Sequence, residues 1–244
     1  MNCLLFEKSE INSDSTLFIS GTKYLHIQNI LKLKINDDIK IGIIGEGLGY
    51  GKILKIDNEK ILVSYKINKS NIIRPNINLI LAMPRPKVMK RLWEQLAAIG
   101  INNIFIICPQ KTQKCYFESH TLRNDIYRPL LIKGLQQACD IYIPKVFIES
   151  NFKKFLKKYI DFNFSNKRFI ADVNAKSFIT DFKNDFKRND NVTIAIGPEG
   201  GWVKNEIKCF YDIEFMPITL GKRILKVDTA VISILSIIRS LTYE

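Results

Sequence analysis

Two glycine-bearing segments near the end of the chain hold the residue types and spacing from which chemistry can be read. Gly197-Pro198-Glu199-Gly200-Gly201-Trp202 follows the apolar run Val192-Thr193-Ile194-Ala195-Ile196. Glycines this close together permit positive φ and let a ligand approach main-chain amides that no Cβ shields. A tight corner without a ligand is the plainer alternative. The second segment, Gly221-Lys222-Arg223-Ile224-Leu225-Lys226-Val227-Asp228-Thr229-Ala230, leads into the apolar stretch Val231 to Ile238. A helix apolar nearly all round must be buried on most of its surface. Asp228 or Thr229 is positioned to N-cap that helix, leaving amide donors at its start to face a ligand. Lys222, Arg223 and Lys226 are either solvated charge or cations held between a strand end and a buried helix.

Other chemistries find little support. Neither segment matches the triphosphate loop or the GxGxxG fingerprint. With only His26 and His120, both early in the chain, no Ser-His-Asp or Cys-His set can be assembled. The 5 cysteines are scattered without a CxxC pair, so no metal site is expected and the thiols should be reduced and mostly buried. The formal charge of +13 favours association with phosphate backbones. An AT-rich coding bias toward Lys, Ile and Asn would produce the same excess. No apolar stretch of about 18 residues is free of charge, so no membrane association is expected. Residues Met1 to Lys8 lack a basic n-region, and a cytoplasmic location is expected.

The elements that must position the two loops divide in two. Up to about residue 70 the chain reads as β-rich, with strands over Ile39 to Ile44, Tyr50 to Ile56 and Ile61 to Ile67 separated by turn residues. An amphipathic helix is expected over Thr22 to Lys34 before them, and a linker over Asn68 to Asn76 after them. From Ile77 strands and helices alternate, which implies a parallel sheet. Strands are expected at Ile77 to Met83, Ile104 to Cys108, Lys145 to Ile148, Arg168 to Asp172, Val192 to Ile196 and Glu214 to Leu220. Helices are expected at Lys87 to Ile99, Leu122 to Asp140, Phe152 to Tyr159, Lys204 to Tyr211 and Thr229 to Leu241. The first of these presents Val88, Leu92, Trp93, Leu96 and Ala97 on one face and ends at Gly100. Both glycine segments then fall at carboxyl ends of parallel strands, where such sheets bind ligands.

Gly197-Pro198-Glu199-Gly200-Gly201, followed by Leu220-Gly221-Lys222-Arg223-Ile224-Leu225-Lys226-Val227-Asp228-Thr229-Ala230, resembles the paired signature of the SPOUT-class ribosomal RNA uracil-N3 methyltransferases, the RsmE family. The likeness extends over essentially the whole chain. Arg85-Pro86-Lys87 to Gly100 resembles that family's first helix, and Gln136-Gln137-Ala138 to Pro144 the end of its central helix. The resemblance implies an α/β fold: a trefoil-knotted SPOUT methyltransferase domain over 71–244, behind a small N-terminal PUA-like β-barrel over 1–70 that binds RNA. Hydrophobic patterning alone would not suggest a knot. The resemblance also implies a homodimer with S-adenosyl-L-methionine as cofactor. Main-chain groups of Gly197, Glu199, Gly200, Leu220, Ile224 and Leu225 would hold it, with Gly201, Gly221 and Thr229 alongside. The loop at Ala171, Asp172 and Val173 would close one side. The chain departs from the family's usual pattern with Lys226 in place of Arg and Asp228 in place of Glu.

Methylation of uracil N3 requires a positioned base and donors that stabilise developing negative charge on O2 or O4. Arg223, with Lys226 as helper, is the implied catalytic set. In-line transfer needs proximity and no covalent nucleophile, and water or Asp172 is left as proton acceptor. The expected partner is small-subunit ribosomal RNA. Alternatives are the same fold acting on another rRNA or tRNA site, or a non-catalytic RNA-binding ribosome-assembly factor.

Overall fold

The structure is a computed structural model that describes residues 2–12, 14–69, 74, 76–159, 167–188 and 190–243. The chain forms two compact units, Met1–Ile72 with Ile132–Ile143, and Ile73–Leu131 with Pro144–Glu244.

The first unit contains β1 (Leu4–Phe6), β2 (Thr16–Ser20), α1 (Gly21–His26), β3 (Asp38–Ile43), β4 (Gly47–Ile56) and β5 (Lys60–Lys69). They form a five-stranded sheet in the order β1-β3-β4-β5-β2. The expected three-strand meander is its centre. On one side β1 pairs parallel with β3, and on the other β2 pairs antiparallel with β5. Alternation along the strands sends Leu17, Ile19, Ile41, Ile53, Ile61 and Val63 into one core with Leu4 and Phe6. Each such buried side chain contributes about 1.5–3 kcal/mol of transfer free energy. The helix is shorter than expected. A π turn over Ile27–Leu31 extends α1, and Lys32, at φ 53°, turns left-handed and ends it before Lys34. Most of the expected linker lies outside the described residues.

The second unit begins with β6 (Asn76–Ala82), α2 (Pro86–Ile99) and β7 (Asn103–Ile107), and the chain continues through α3 (Asn124–Ala138). β8 (Lys145–Glu149), α4 (Phe152–Tyr159), β9 (Lys167–Ala171), β10 (Asn191–Ile196), α5 (Lys204–Tyr211), β11 (Met216–Ile218) and α6 (Val227–Tyr243) complete it. Pro86 sits in the first turn of α2, where its missing N–H costs nothing, and Gly100 closes the helix at φ 93°. Met89 takes the fully buried position expected of Val88. α3 stops before the expected Asp140 because Cys139 is left-handed at φ 54°. The Asp140 carboxylate then accepts the N–H groups of Ile141 and Tyr142.

The six strands are all parallel, in the order β11-β9-β10-β6-β7-β8. From β6 the chain steps outward through β7 and β8, returns to lay down β9, and then inserts β10 between β9 and β6. That reversal puts a topological switch point at the centre of the sheet. Phe105, Phe155, Ile170, Ala195, Trp202, Phe210 and Phe215 pack into a core on this sheet.

Two expectations at the end of the chain are corrected. β11 is shorter than Glu214 to Leu220: Glu214 is left-handed at φ 65° and the N–H of Phe215 donates back to Phe210 O at 3.0 Å, while Pro217, with no N–H for a ladder, is tolerated on this edge strand. The N–H of Thr219 turns away to Ser177 O at 2.9 Å. α6 starts at Val227, with Ala230 N donating to Lys226 O at 2.9 Å. Asp228 and Thr229 therefore lie inside its first turn and neither is the N-cap. Along α6, Val231, Ile234, Leu235 and Ile238 are buried, whereas Ile232 and Ile237 are only half-buried.

Candidate functional site

Because β11, β9 and β10 are consecutive neighbours, the loops that follow them leave the sheet's carboxyl edge side by side. Two hydrogen bonds join them. The Trp202 indole Nε1 donates to Ala171 O at 3.1 Å, and the N–H of Asp172 donates to Ile218 O at 2.9 Å.

The glycine loop after β10 is shaped from inside and outside. A Cβ on Gly197 would stand 2.9 Å from Nε1 and Cε2 of Trp202, so the indole packs where any other side chain would begin. Gly201, at φ 70°, closes a turn in which its N–H donates to Pro198 O at 2.8 Å. Outside, Arg85 pairs with Glu199 at 3.2 Å, and Lys111 Nζ donates to Gly200 O at 2.7 Å. Beneath, the buried Glu206 carboxylate accepts from Gln110 N at 2.7 Å and Val203 N at 3.0 Å. The second of these bonds caps the first turn of α5.

In the loop after β11, the N–H of Gly221 donates to Thr219 Oγ1 at 3.1 Å, and Gly221 adopts φ 102°. Arg223 and Lys226 are exposed, and neither has an ion-pair partner among the described residues. Ile224 is 89% exposed, and Leu225 and Thr229 are also exposed. Asp228 is held by Arg91 of α2 at 2.8 Å. In the loop after β9, Asp172 Oδ1 accepts from the Asn174 N–H at 2.9 Å and from Asn174 Nδ2 at 3.3 Å. Burial, and secondarily the Asp172 charge, push the nearby Tyr211 phenol above its ordinary value.

Likeness to known proteins bears on what such an edge does. Residues 73–239 match the RNA methyltransferase domain family. The chain is 31% identical over 234 residues to ribosomal RNA small subunit methyltransferase E 1 of Borreliella burgdorferi, covering 96% of this chain and 95% of that protein. The chain belongs to the ribosomal RNA small subunit methyltransferase E family. A methyltransferase E of Treponema pallidum is 27% identical over 94% of this chain and 87% of that protein. A methyltransferase of Legionella pneumophila, solved with bound SAM, shares the fold at TM-score 0.80 and 19% identity, covering 99% of this chain and 98% of that one. So does the methyltransferase E of Neisseria gonorrhoeae, solved with S-adenosyl methionine, at TM-score 0.77 and 18% identity with the same coverage.

For this methyltransferase E family member, the sequence-predicted residues Ala171, Asp172, Gly197, Glu199, Gly200, Gly201, Leu220 and Gly221 fall on adjoining loops at one edge. Sequence reasoning missed Lys111 and Glu206. The placement of Glu206 at the third position of a helix was a readable signal for a cap. Nothing local marked Lys111, whose partner lies 89 residues away. Among the described residues, no group of His, Cys, Asp and Glu could hold a metal, and no helix is long and apolar enough to cross a membrane.

Proposed function

We propose that the chain transfers a methyl group from S-adenosyl-L-methionine to N3 of a uridine in small-subunit ribosomal RNA. The observation that carries this reading is the convergence of three strand-end loops, tied by the Trp202–Ala171 and Asp172–Ile218 bonds, at a switch-point edge. The edge suits the cofactor. The Cβ position is open beside Gly201 and met only by Phe178 at 3.8 Å beside Gly221, and Val173, Ile224 and Leu225 offer exposed apolar surface to an adenine ring. When bound, S-adenosylmethionine supplies an electrophilic methyl group on a sulfonium.

The chain's own residues supply position and charge. Arg223, helped by Lys226, opposes the negative charge that develops on O2 or O4 as N3 loses its proton. Water or Asp172, whose Oδ1 accepts two hydrogen bonds from Asn174, takes that proton.

The wider reading assigns 1–70 to a PUA-like RNA-binding barrel and 71–244 to a trefoil-knotted SPOUT domain acting as a homodimer. In support of RNA binding, the register aligns Lys40, Tyr50 and Lys66 across three strands, with Tyr50 63% exposed. An aromatic ring between two cations suits a stacked base with its phosphates. The late insertion of β10 supports the knot, and the exposed Ile224 with the half-buried Ile232 and Ile237 supports a second copy over this edge.

Nucleoside mass spectrometry of small-subunit rRNA from a deletion strain tests the reading. Loss of 3-methyluridine is expected, restored by the wild-type chain. Persistence of 3-methyluridine with loss of another methylated nucleoside would move the activity to another RNA site. No loss of any, together with no calorimetric S-adenosylmethionine binding, would make the chain a non-catalytic RNA-binding factor.

A further inference from the structure

We propose that Lys111, in the loop after β7, is a positioning residue that fixes which main-chain donors of the glycine loop face the ligand; this rests on the cofactor reading above. β7 is not adjacent to β10 in the sheet, since β6 lies between them. Its loop nevertheless reaches the glycine loop at two points. Gln110 N donates to the buried Glu206 carboxylate at 2.7 Å, which anchors the base of the loop. Lys111 Nζ donates to Gly200 O at 2.7 Å, which anchors its tip.

The peptide between Gly200 and Gly201 has its oxygen taken by Lys111 and its N–H taken by Pro198 O, at 2.7 and 2.8 Å. Both of its polar ends are satisfied within the protein, so it cannot rotate without losing two bonds. Pro198 has no N–H. Among the described residues the N–H groups of Gly197, Glu199, Gly200 and Trp202 have no partner, and those of Glu199 and Gly200 lie next to the held peptide, so its orientation sets theirs. Without Lys111, the Gly200 carbonyl is freed and the 200–201 peptide is held from one side only. The lysine stem also lies against Gly200, where a Cβ would meet Lys111 Cδ at 3.2 Å. The side chain at 111 and the bare backbone at 200 therefore fit as a pair.

The test compares Lys111→Met, which keeps the stem and removes the donor, with Lys111→Arg, which keeps a donor. S-adenosylmethionine affinity is measured by calorimetry, and exchange of the Gly201 amide by NMR. Lys111→Met is expected to weaken binding about threefold to tenfold and to speed Gly201 exchange, with an unchanged melting temperature and rescue by Lys111→Arg. Wild-type affinity and exchange in Lys111→Met would overturn the proposal, as would equal loss in both variants. A wild-type protein that does not bind S-adenosylmethionine would instead sink the cofactor reading, while the exchange measurement still decides whether Lys111 fixes the peptide.

Discussion

Gly197→Ala is the substitution whose cost can be worked most directly from the structure. The new methyl would stand 2.9 Å from two atoms of the Trp202 indole and 3.2 Å from a third. The ring has little room to retreat. It is 8% exposed, its Nε1 is bonded to Ala171 O, and it packs edge-on against Phe210 with ring centroids 5.1 Å apart. Overpacking costs about 1–3 kcal/mol, and a lost indole hydrogen bond adds about 1 kcal/mol. The entropy gained by replacing glycine offsets about 0.4–1 kcal/mol, because Gly197 is not left-handed. The net is about 2–3 kcal/mol, or a melting temperature lowered by about 5–10 °C for a chain of this size. Scanning calorimetry measures it, and Trp202→Leu provides the control. In that background the methyl has space, so the two substitutions should couple by more than about 1 kcal/mol. A Gly197→Ala protein that melts with the wild type, or a cycle that is strictly additive, would refute the claim that the indole occupies the missing side chain's place.

Other outcomes follow from the same geometry. Arg223→Ala should reduce methylation of an rRNA substrate about 100-fold while leaving S-adenosylmethionine affinity intact, as for removal of one charge-stabilising donor; parallel loss of both in calorimetry and turnover would make Arg223 structural. Lys87 and Lys90 are exposed on α2, which Arg85 ties to Glu199 and Arg91 ties to Asp228. Reversing both charges should weaken RNA binding and lower the log–log salt slope by about 0.7 per lost phosphate contact, whereas an unchanged slope would remove α2 from the RNA surface. Cys3 is pushed up to about 12, chiefly by burial and further by Cys139, against an opposing pull from Lys40. At about pH 8 iodoacetamide should therefore spare Cys3 in the native protein while alkylating the exposed Cys115, as read by peptide mass spectrometry. A thiol whose folded value is raised gives stability that is whole below its unfolded value near 9.0 and is lost as pH climbs toward about 12. Unfolding midpoints that rise over that window in wild type, but not in Cys3→Ala, would contradict this.

How much of this was legible in the sequence depended on distance along the chain. α4 and α5 follow from local periodicity and have the expected bounds. The carboxyl-edge position of both glycine loops follows from strand-then-glycine order. By contrast, β1 and β2 are short, and their pairing with β3 and β5 is a long-range event that no local pattern announces. The start of α6 is hidden from residue type because Asp228 and Thr229 have the chemistry of N-caps, while the first helical hydrogen bond is accepted by Lys226, just ahead of both. Asp228 is instead engaged by Arg91, 137 residues away. Lys111 and Glu206 escaped for a related reason. The partners of Lys111 and of the second Glu206 oxygen, Gly200 O and Gln110 N, are backbone atoms brought near by the sheet, and backbone atoms leave no signature in residue type; only the local cap of Glu206 on Val203 N was readable.

The insertion of β10 between β6 and β9 has a consequence for synthesis of the chain. A ribosome delivers β6, β7 and β8 in an order that lets them pair at once, but β9 emerges with no neighbour to join. Until Asn191–Ile196 has left the exit tunnel, β6 keeps one edge unpaired and the half-built sheet has a gap at its centre. Such an edge recruits foreign strands, so nascent chains and truncations ending before residue 191 are the aggregation-prone species. Closure of the central gap and creation of the glycine loop are then a single late event, with only the edge strand β11 still to join.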